Sequence, residues 1–206
     1  MLFGTESDVI QATSLRSSGS ALISASLLVF PQTMFGRGLQ TSADSGTAIE
    51  QTMERLSQGT RRLAAELKSP LPVQLLWDVL TDYENLSRFI PNLSTSELIQ
   101  RQGQTVRLQQ VGSQQLLGLR FSAQVQLELT EYRQDGLLQF RMVKGDFRRF
   151  EGSWQIRQRP DGSSLLYELT VQGCLGMPIG LIEERLRDDL SSNLNAVVQE
   201  AHRRNS

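Results

Sequence analysis

The side chains that most often perform acid, base or nucleophilic chemistry are scarce in this chain. It holds one histidine, His202, close to its end, and one cysteine, Cys174. A single terminal histidine excludes most Ser-His-Asp triads and histidine-based zinc sites, because both need an imidazole held inside the fold. Cys174 has no base near it in the sequence, so we predict a small buried apolar residue. These residue types predict no catalytic residue, no metal site and no cofactor.

Two aspartates have a spacing that could pair carboxylates for acid–base work. Asp78 and Asp82 are four residues apart at the end of a predicted helix, and this spacing places them on one side of it. Asp82 also precedes a second helical segment, where an aspartate can accept hydrogen bonds from free backbone N–H groups. Both interpretations stay open at this point, and helix capping is the simpler one.

The overall charge argues against a nucleic-acid partner. The 206 residues include 21 lysines and arginines against 22 aspartates and glutamates, for a formal net charge of −1. Proteins that bind DNA or RNA usually carry a basic excess, which displaces counterions from the phosphates. The single cysteine excludes an internal disulfide framework. The length suits one domain with an appendage, large enough to bury a core.

Composition changes near residue 45 and divides the chain into a leader, residues 1–45, and a domain, residues 46–206. Ser, Thr, Gly and Ala without sustained periodicity dominate the leader, which predicts a flexible or targeting segment. Its most apolar stretch, residues 21–30, falls short of the ~20 apolar residues that a membrane-spanning helix needs. We expect an intracellular, cytoplasmic protein that can lie at a membrane surface, with organellar targeting by the leader as the alternative.

Two short helices are predicted directly after the first clear strand. Pro72 suits the first turn of a helix at residues 73–80, whose apolar residues share one face. A second short helix, residues 84–89, ends before a proline. The preceding stretch, residues 48–56, is ambiguous, because its short apolar runs fit either a helix or one arm of a hairpin.

From Ser94 onward the apolar residues recur with a period of two, which predicts antiparallel strands joined by short turns. The clearest alternation runs from Leu117 to Leu129. One strand of that length would span about 40 Å at ~3.3 Å per residue, so we predict a turn near residues 114–117 before the strand proper. Three more alternating segments follow, and Pro178 opens a long amphipathic helix. This order predicts an α+β fold, a curved antiparallel sheet of about six or seven strands wrapped on one C-terminal helix.

Such a sheet has more apolar surface than the helix can hide. A helix is only ~10 Å across and cannot cover the apolar face of about six strands. Short helices, large side chains or a ligand must fill the remainder. Gly152 lies between Phe150 and Trp154 on the apolar face, and two interpretations of it stay open. It marks a bend in the strand, or its missing side chain leaves room for a bound molecule.

Four segments resemble the START-like, helix-grip proteins of the SRPBCC superfamily: residues 80–84 (LTDYE), 89–93 (FIPNL), 145–154 (GDFRRFEGSW) and 180–190 (GLIEERLRDDL). The similarity covers about residues 48–203 and is strongest to the coenzyme Q-binding and polyketide cyclase/dehydrase-type branch. The resemblance implies a deep cavity between the sheet and the last helix, holding a lipid, an isoprenoid quinone or an aromatic polyketide. Cyclase members place polar groups inside that cavity, whereas the inward positions here are almost wholly apolar.

The apolar lining favours a non-enzymatic protein that binds or transports a hydrophobic small molecule, a lipid or an isoprenoid quinone. The alternatives are a polyketide aromatase/cyclase, in which Tyr167 or Asp82 would move protons, and an interaction module with a filled core. The predicted ligand-binding residues are Trp77, Phe89, Ile90, Phe121, Val125, Phe140, Met142, Phe150, Gly152, Trp154, Leu186 and Leu190.

The turns of the sheet also suggest a transient membrane contact. Large apolar residues such as Leu116 and Ile90 lie near predicted turns, where exposed apolar groups can mark a membrane or a partner. The alternative is that these residues pack on one another as a closed lid. Arg148 and Arg149 could lie against anionic lipid headgroups. Solvated hairpin charges, offset by neighbouring acidic residues, are the alternative for this pair.

Overall fold

The structure is a computed structural model that describes residues 48–116, 119–174 and 179–206. The leader predicted for residues 1–45 lies outside these described residues, so its boundary with the domain stays a prediction. Within the described ranges, no helix has both the length and the apolar character needed to cross a membrane.

A single antiparallel sheet forms the larger layer of the domain, with eight strands rather than the six or seven expected. Its strands are β1 (Glu50–Arg55), β2 (Thr60–Ser69), β3 (Leu93–Gln102), β4 (Thr105–Leu116), β5 (Leu119–Tyr132), β6 (Leu137–Gly145), β7 (Phe147–Arg159) and β8 (Gly162–Gly173). The order across the sheet is β1-β2-β8-β7-β6-β5-β4-β3. Strands β3 to β8 therefore follow one another in space as in sequence, because short connections join them.

The additional strand comes from the segment that the sequence left ambiguous. Residues 50–55 pair with residues 61–66, and Met53 lies opposite Leu63. Gln58 and Gly59 in the connection have φ angles of 55° and 71°, the left-handed backbone that tight turns use. The hairpin interpretation is confirmed and the helical one is wrong.

Both predicted short helices are present. α1 spans Val73–Leu80, the predicted range, and a 3₁₀ helix spans Tyr83–Arg88. Pro72 precedes α1 at its N-cap in extended conformation, with a φ of −69° that its ring fixes. The predicted turn before β5 lies slightly later than expected, because β4 continues to Leu116 and pairs with Leu119 of β5.

The long C-terminal helix, α2, spans Ile179–Asn205. Its buried residues Leu190, Leu194 and Val197 recur three or four positions apart, which confirms the predicted apolar stripe. The main contacts of α2 are with β1, β2, β8 and α1. The inner faces of β5 and β6 lie beyond these main contacts, so the helix covers one half of the sheet more closely than the other. This asymmetry creates the site described next.

Candidate functional site

Five aromatic side chains form a continuous row on the inner face of the sheet. The ring centroids of Phe147 and Phe150 are 5.3 Å apart, and Phe150 is 5.9 Å from Phe140. Phe140 is 6.2 Å from Tyr167, and Tyr167 stacks on Trp154 at 3.9 Å with 6° between the ring planes. Aromatic pairs at such distances attract each other beyond the effect of buried area. The row runs from the β6–β7 connection to the middle of β7 and β8.

Strand pairing brings these rings together. Phe140 lies opposite Gly152, and Trp154 lies opposite Tyr167. Directly opposed residues of antiparallel strands point to the same side of the sheet. Trp154 also lies opposite the buried Leu138, so the row faces the interior. The period-two pattern of the sequence predicts this face.

The inner face beside Trp154 is not completely sealed. Leu138, Ile156 and Tyr167 surround Trp154 along and across the strands, and each is at most 7% exposed. Trp154 itself is only half-buried. A partly exposed tryptophan among these buried neighbours leaves apolar surface of its side chain accessible on the inner face. Three more predicted residues are half-buried and pack against the same core: Met142, Phe150 and Leu186.

Gly152 does not leave room for a ligand, and that interpretation is wrong. A Cβ atom at this position would lie 2.0 Å from the main-chain oxygen of Glu168 and 2.7 Å from Cζ of Phe140. The Phe140 ring thus fills the space that a side chain would take, and the backbone of β8 approaches too closely for any Cβ. A close approach of the β8 backbone requires the glycine, as is common in strands, and the regular register of Gly152 with Phe140 and Leu169 shows no bulge there.

The other predicted residues do not all join the half-buried group. Val125, Phe140, Trp77 and Leu190 are buried in the core. Phe89 and its neighbour Ile90 are half-buried, and the Arg204 guanidinium lies 5.9 Å from the centre of the Phe89 ring.

The Phe89 ring therefore contacts a residue near the C-terminal end of α2, whereas Asn92, three positions later, donates to Asp189, which is three positions from Leu186. At ~1.5 Å per residue, Leu186 and Arg204 are about 27 Å apart along that helix. Phe121 belongs to β5, but its side chain lies outside the described part of the structure.

Arginines of the β1–β2 hairpin bind the first turns of α2. Glu183 of α2 is buried. Its carboxylate accepts hydrogen bonds from Arg55 Nη2 at 2.7 Å and from Arg61 Nε at 2.5 Å. Nearby, Gln51 Nε2 donates to the Arg187 carbonyl oxygen at 2.7 Å. Hydrogen bonds from Arg55 and Arg61 lower the pKa of Glu183 to about 2. These contacts position the start of α2 over one edge of the sheet.

We expect Glu183→Gln to remove a pH-dependent part of the stability. A carboxyl with a pKa of 4.5 before folding and about 2 afterwards stabilises the fold above pH 4.5. That contribution is lost as the pH falls through 2. The Tm of the wild-type protein should exceed that of the variant at pH 7, and the two should converge near pH 2 in thermal unfolding followed by circular dichroism.

Glu54→Gln is the matched control for this prediction. Glu54 pairs with Arg62 at 3.3 Å on the surface, with both side chains largely exposed. Such exposed pairs contribute little, so its Tm should follow the wild-type value throughout. A Tm difference for Glu183→Gln that stays constant from pH 7 to 2 would contradict the prediction.

Tyr83, Arg101 and Glu131 form a polar cluster on the inner side of the sheet that no sequence pattern predicts. The Tyr83 hydroxyl donates to Glu131 Oε1 at 2.7 Å, across 48 positions of sequence. Arg101 donates to the same carboxylate at 3.1 Å and lies 5.6 Å from the centre of the Tyr83 ring. Burial and the hydrogen bond to Glu131 raise the pKa of Tyr83. The cluster attaches the 3₁₀ helix to β3 and β5, and no local spacing reveals it.

The aspartates considered for acid–base chemistry do not form a pair. Asp82 accepts a hydrogen bond from the Asn85 side chain and pairs with Arg204, both at 2.7 Å. It occupies the N-cap of the 3₁₀ helix, although its side chain binds no backbone N–H there. Asp78 instead pairs with Arg133 at 3.2 Å. Each carboxylate is paired with an arginine rather than with the other.

The remaining candidate chemistry is equally sparse. Cys174 is exposed just after the end of β8, so the prediction that it is buried is wrong. Its position beyond the last paired residue leaves it without neighbouring strands to cover it. In the part of the chain that the structure describes, no three His, Cys, Asp or Glu side chains converge as a metal site would require.

The outer face of the strands that carry the aromatic row is polar rather than apolar. It carries a groove of about 410 Å³ lined largely by charged and polar residues, among them Arg62, Arg141 and Glu151. Glu128 on this face pairs with Arg141 and with Arg107, and their hydrogen bonds lower its pKa. A groove with this lining does not suit an apolar molecule. The inner face is the candidate site for a hydrophobic ligand.

Comparison with known proteins agrees with this architecture. Residues 69–198 match the family described as polyketide cyclase/dehydrase and lipid transport. No curated protein matches the chain. Among solved structures, the STAR-related lipid transfer protein of Xanthomonas axonopodis is 15% identical with a TM-score of 0.63, over 78% of this chain and 97% of that one.

Two further solved structures have the same fold. The Zhui aromatase/cyclase of a Streptomyces species is 15% identical with a TM-score of 0.63, over 71% of this chain and 96% of that one. A protein of Thermus thermophilus is 20% identical with a TM-score of 0.62, over 70% of this chain and 99% of that one. The predicted helix-grip fold of the START-like superfamily is confirmed.

Proposed function

Because the chain belongs to the polyketide cyclase/dehydrase and lipid transport family, we propose that it binds a lipid or an isoprenoid quinone between the sheet and α2 and carries it without chemical change. The observation that carries the proposal is Trp154, which is half-buried although Leu138, Ile156 and Tyr167 beside it are buried. An apolar molecule beside this ring would gain about 25 cal/mol for each Å² of apolar surface removed from water.

The sparse polar chemistry of the inner face supports binding over catalysis. The Glu131 carboxylate is held by Tyr83 and Arg101, and Asp82 by Arg204. Groups bound in this way are poorly placed to exchange protons with a substrate. These contacts favour a carrier.

An aromatase/cyclase is the second candidate, and one observation favours it. The Tyr167 hydroxyl is on the inner face and makes no hydrogen bond to any described residue, so it is free to donate to a bound molecule. Turnover of an aromatic polyketide chain that is lost in Tyr167→Phe would replace the carrier proposal with this one. An interaction module with a filled core is the third candidate.

Native mass spectrometry of the full chain purified from its own host tests the proposal. We expect a second species, heavier than the polypeptide by the mass of one hydrophobic molecule, because an apolar ligand leaves such a site slowly in water. Extraction with organic solvent and identification of that molecule would name the cargo. A spectrum with the mass of the polypeptide alone, under conditions that preserve known lipid complexes, would favour the filled-core module.

We also propose that the protein works inside the cell and touches a membrane transiently through the β6–β7 connection. Val143, near the end of β6, is 38% exposed, and Lys144 of β6 and Arg148 of β7 are exposed on either side of the connection. Arg149 pairs with Glu151, which leaves Arg148 as the better candidate for a headgroup contact. Anionic lipid attracts each such residue by about 1 kcal/mol, or roughly fivefold in affinity.

Co-sedimentation with vesicles containing phosphatidylserine tests this contact. Arg148→Gln should weaken binding about fivefold, whereas Arg157→Gln, an exposed arginine farther along the same strand, should not. Equal effects of the two substitutions would contradict a contact at this connection. So would binding of the wild-type protein to vesicles of phosphatidylcholine alone that equals its binding to vesicles containing phosphatidylserine.

A further inference from the structure

The stacked pair of Trp154 and Tyr167 carries two hydrogen-bond donors that no described protein group uses. Neither the indole Nε1–H of Trp154 nor the hydroxyl of Tyr167 donates to a described residue. Tyr167 is 7% exposed, so its hydroxyl lies in a largely apolar setting. Buried polar groups are normally hydrogen-bonded, and each one left unpaired costs free energy.

Neither donor is among the atoms of the described side chains that are sealed from solvent without a partner. Among the described side chains, the polar atoms that are both sealed from solvent and unpaired are Trp77 Nε1 and Asn193 Oδ1. The Trp154 nitrogen and the Tyr167 oxygen have no described partner and are not among these sealed atoms, and the rings that carry them stack at 3.9 Å on the face where Trp154 is half-buried. A molecule that packs along the edge of this stacked pair can therefore reach both donors.

The two donors of Trp154 and Tyr167 determine which functional group of a ligand can bind to them. An indole N–H is a donor only, and the ligand must offer it an acceptor. Burial and the negative charge of Asp189 raise the pKa of the Tyr167 hydroxyl, so this group keeps its proton and donates as well. A carbonyl oxygen has two lone pairs and brings no proton of its own, whereas an alcohol would bring a proton that needs a further acceptor.

Asp189 adds a constraint on charge. It belongs to α2 between Leu186 and Leu190, is half-buried, and accepts a hydrogen bond from Asn92 Nδ2 at 2.9 Å. A carboxylate in this partly desolvated position repels a second anion more strongly than it would in water. The site is therefore built against fatty-acid carboxylates and similar headgroups.

We infer that Trp154 and Tyr167 form a subsite that hydrogen-bonds a neutral carbonyl group of the ligand, and that Asp189 excludes anionic ligands from it. The inference rests on the proposed function and narrows it to apolar molecules bearing a ketone, quinone or ester carbonyl. A hydrocarbon would leave both donors unpaired, and a fatty acid would meet the Asp189 charge.

Three probes with the same chain length test the subsite: pentadecan-2-one, pentadecane and pentadecanoate. Dissociation constants are measured on the full chain at pH 7 from the change in tryptophan fluorescence. In Tyr167→Phe the ketone should bind about threefold to tenfold more weakly, the effect of one net hydrogen bond, while pentadecane binding stays unchanged. Pentadecanoate should bind the wild-type protein at least tenfold more weakly than the ketone, and Asp189→Asn should narrow that difference.

Tyr132→Phe is the matched control, since it removes a hydroxyl from an exposed tyrosine at the end of β5. It should change none of the three constants. Equal weakening of ketone and alkane in Tyr167→Phe would assign Tyr167 a merely structural role and overturn the subsite. Wild-type affinity for pentadecanoate equal to that for the ketone would overturn the exclusion of anions. Failure of all three probes to bind the wild-type protein would instead overturn the proposed function itself.

Discussion

Replacing Gly152 with alanine is expected to destabilise the domain by about 3 kcal/mol or more, at or beyond the upper range for overpacked cores. The added Cβ would lie 2.0 Å from the Glu168 main-chain oxygen and 2.7 Å from the Phe140 ring. A flexible side chain could move aside, but the carbonyl belongs to the β7–β8 pairing and cannot move without breaking it. Because small domains are stable by only ~5–15 kcal/mol, Gly152→Ala should shift the urea midpoint strongly or prevent folding.

Gly112→Ala is the control for this prediction. A Cβ at Gly112 would lie 3.6 Å from the Asn92 main-chain oxygen and 4.0 Å from that of Ala123, which are ordinary contacts. Alanine there should be neutral or stabilise by up to about 1 kcal/mol, since it restricts the unfolded chain. If the two variants unfold at the same urea concentration, the close approach at Gly152 is not what requires its glycine.

The parts of the fold that follow from local patterns are predictable from the sequence. α1 has the predicted range, residues 73–80, because a proline and an apolar face define it within eight residues. The strands from β3 onward follow from period-two alternation, which burial on one face imposes on each strand independently of the others. β1 is ambiguous in the sequence because its few apolar residues fit two periods, and only pairing with β2 decides between them.

Features that depend on contacts between distant residues could not be predicted. Glu183 becomes a partner of Arg55 and Arg61 only when α2 lies beside the first hairpin. The sequence allows a bend or an open space at Gly152, whereas the close approach that requires the glycine depends on the positions of the β8 backbone and the Phe140 ring. The residue type of Cys174 predicts burial, but its exposure follows from where β8 ends.

The same distinction applies to the candidate site. Period two places Phe140, Phe150 and Trp154 on one face, but it does not say which of them stays accessible. Accessibility depends on how far α2 reaches across the sheet, and its main contacts are with β1, β2 and β8. The mismatch between one helix and a broad sheet is predictable from dimensions alone. The side of the sheet on which the space remains is a property of the folded chain.

Gly112→Leu is expected to exclude the ligand from a domain that still folds. Gly112 lies opposite Ala123 on β5, in phase with the buried Leu108 four positions earlier, so its substituent faces the interior. The nearest atom to a Cβ there is the main-chain oxygen of Asn92 at 3.6 Å, so the backbone accepts a side chain. The Asn92 side chain in turn donates to Asp189, which places the new leucine at the Asp189 end of the proposed site.

The branched end of that leucine would occupy space that the ligand needs, while β-strand conformation favours leucine over glycine. We expect native mass spectrometry to show at least a tenfold lower fraction of ligand-bound protein than in Gly112→Ala, with a urea midpoint close to that of the wild-type protein. Gly112→Ala restricts the backbone in the same way but adds only one methyl group. The difference in ligand-bound fraction between the two variants therefore measures the effect of the larger leucine side chain. If folded Gly112→Leu keeps the bound molecule in full, the ligand does not lie near Asp189. The proposed site between the sheet and the Asp189 end of α2 would then be wrong.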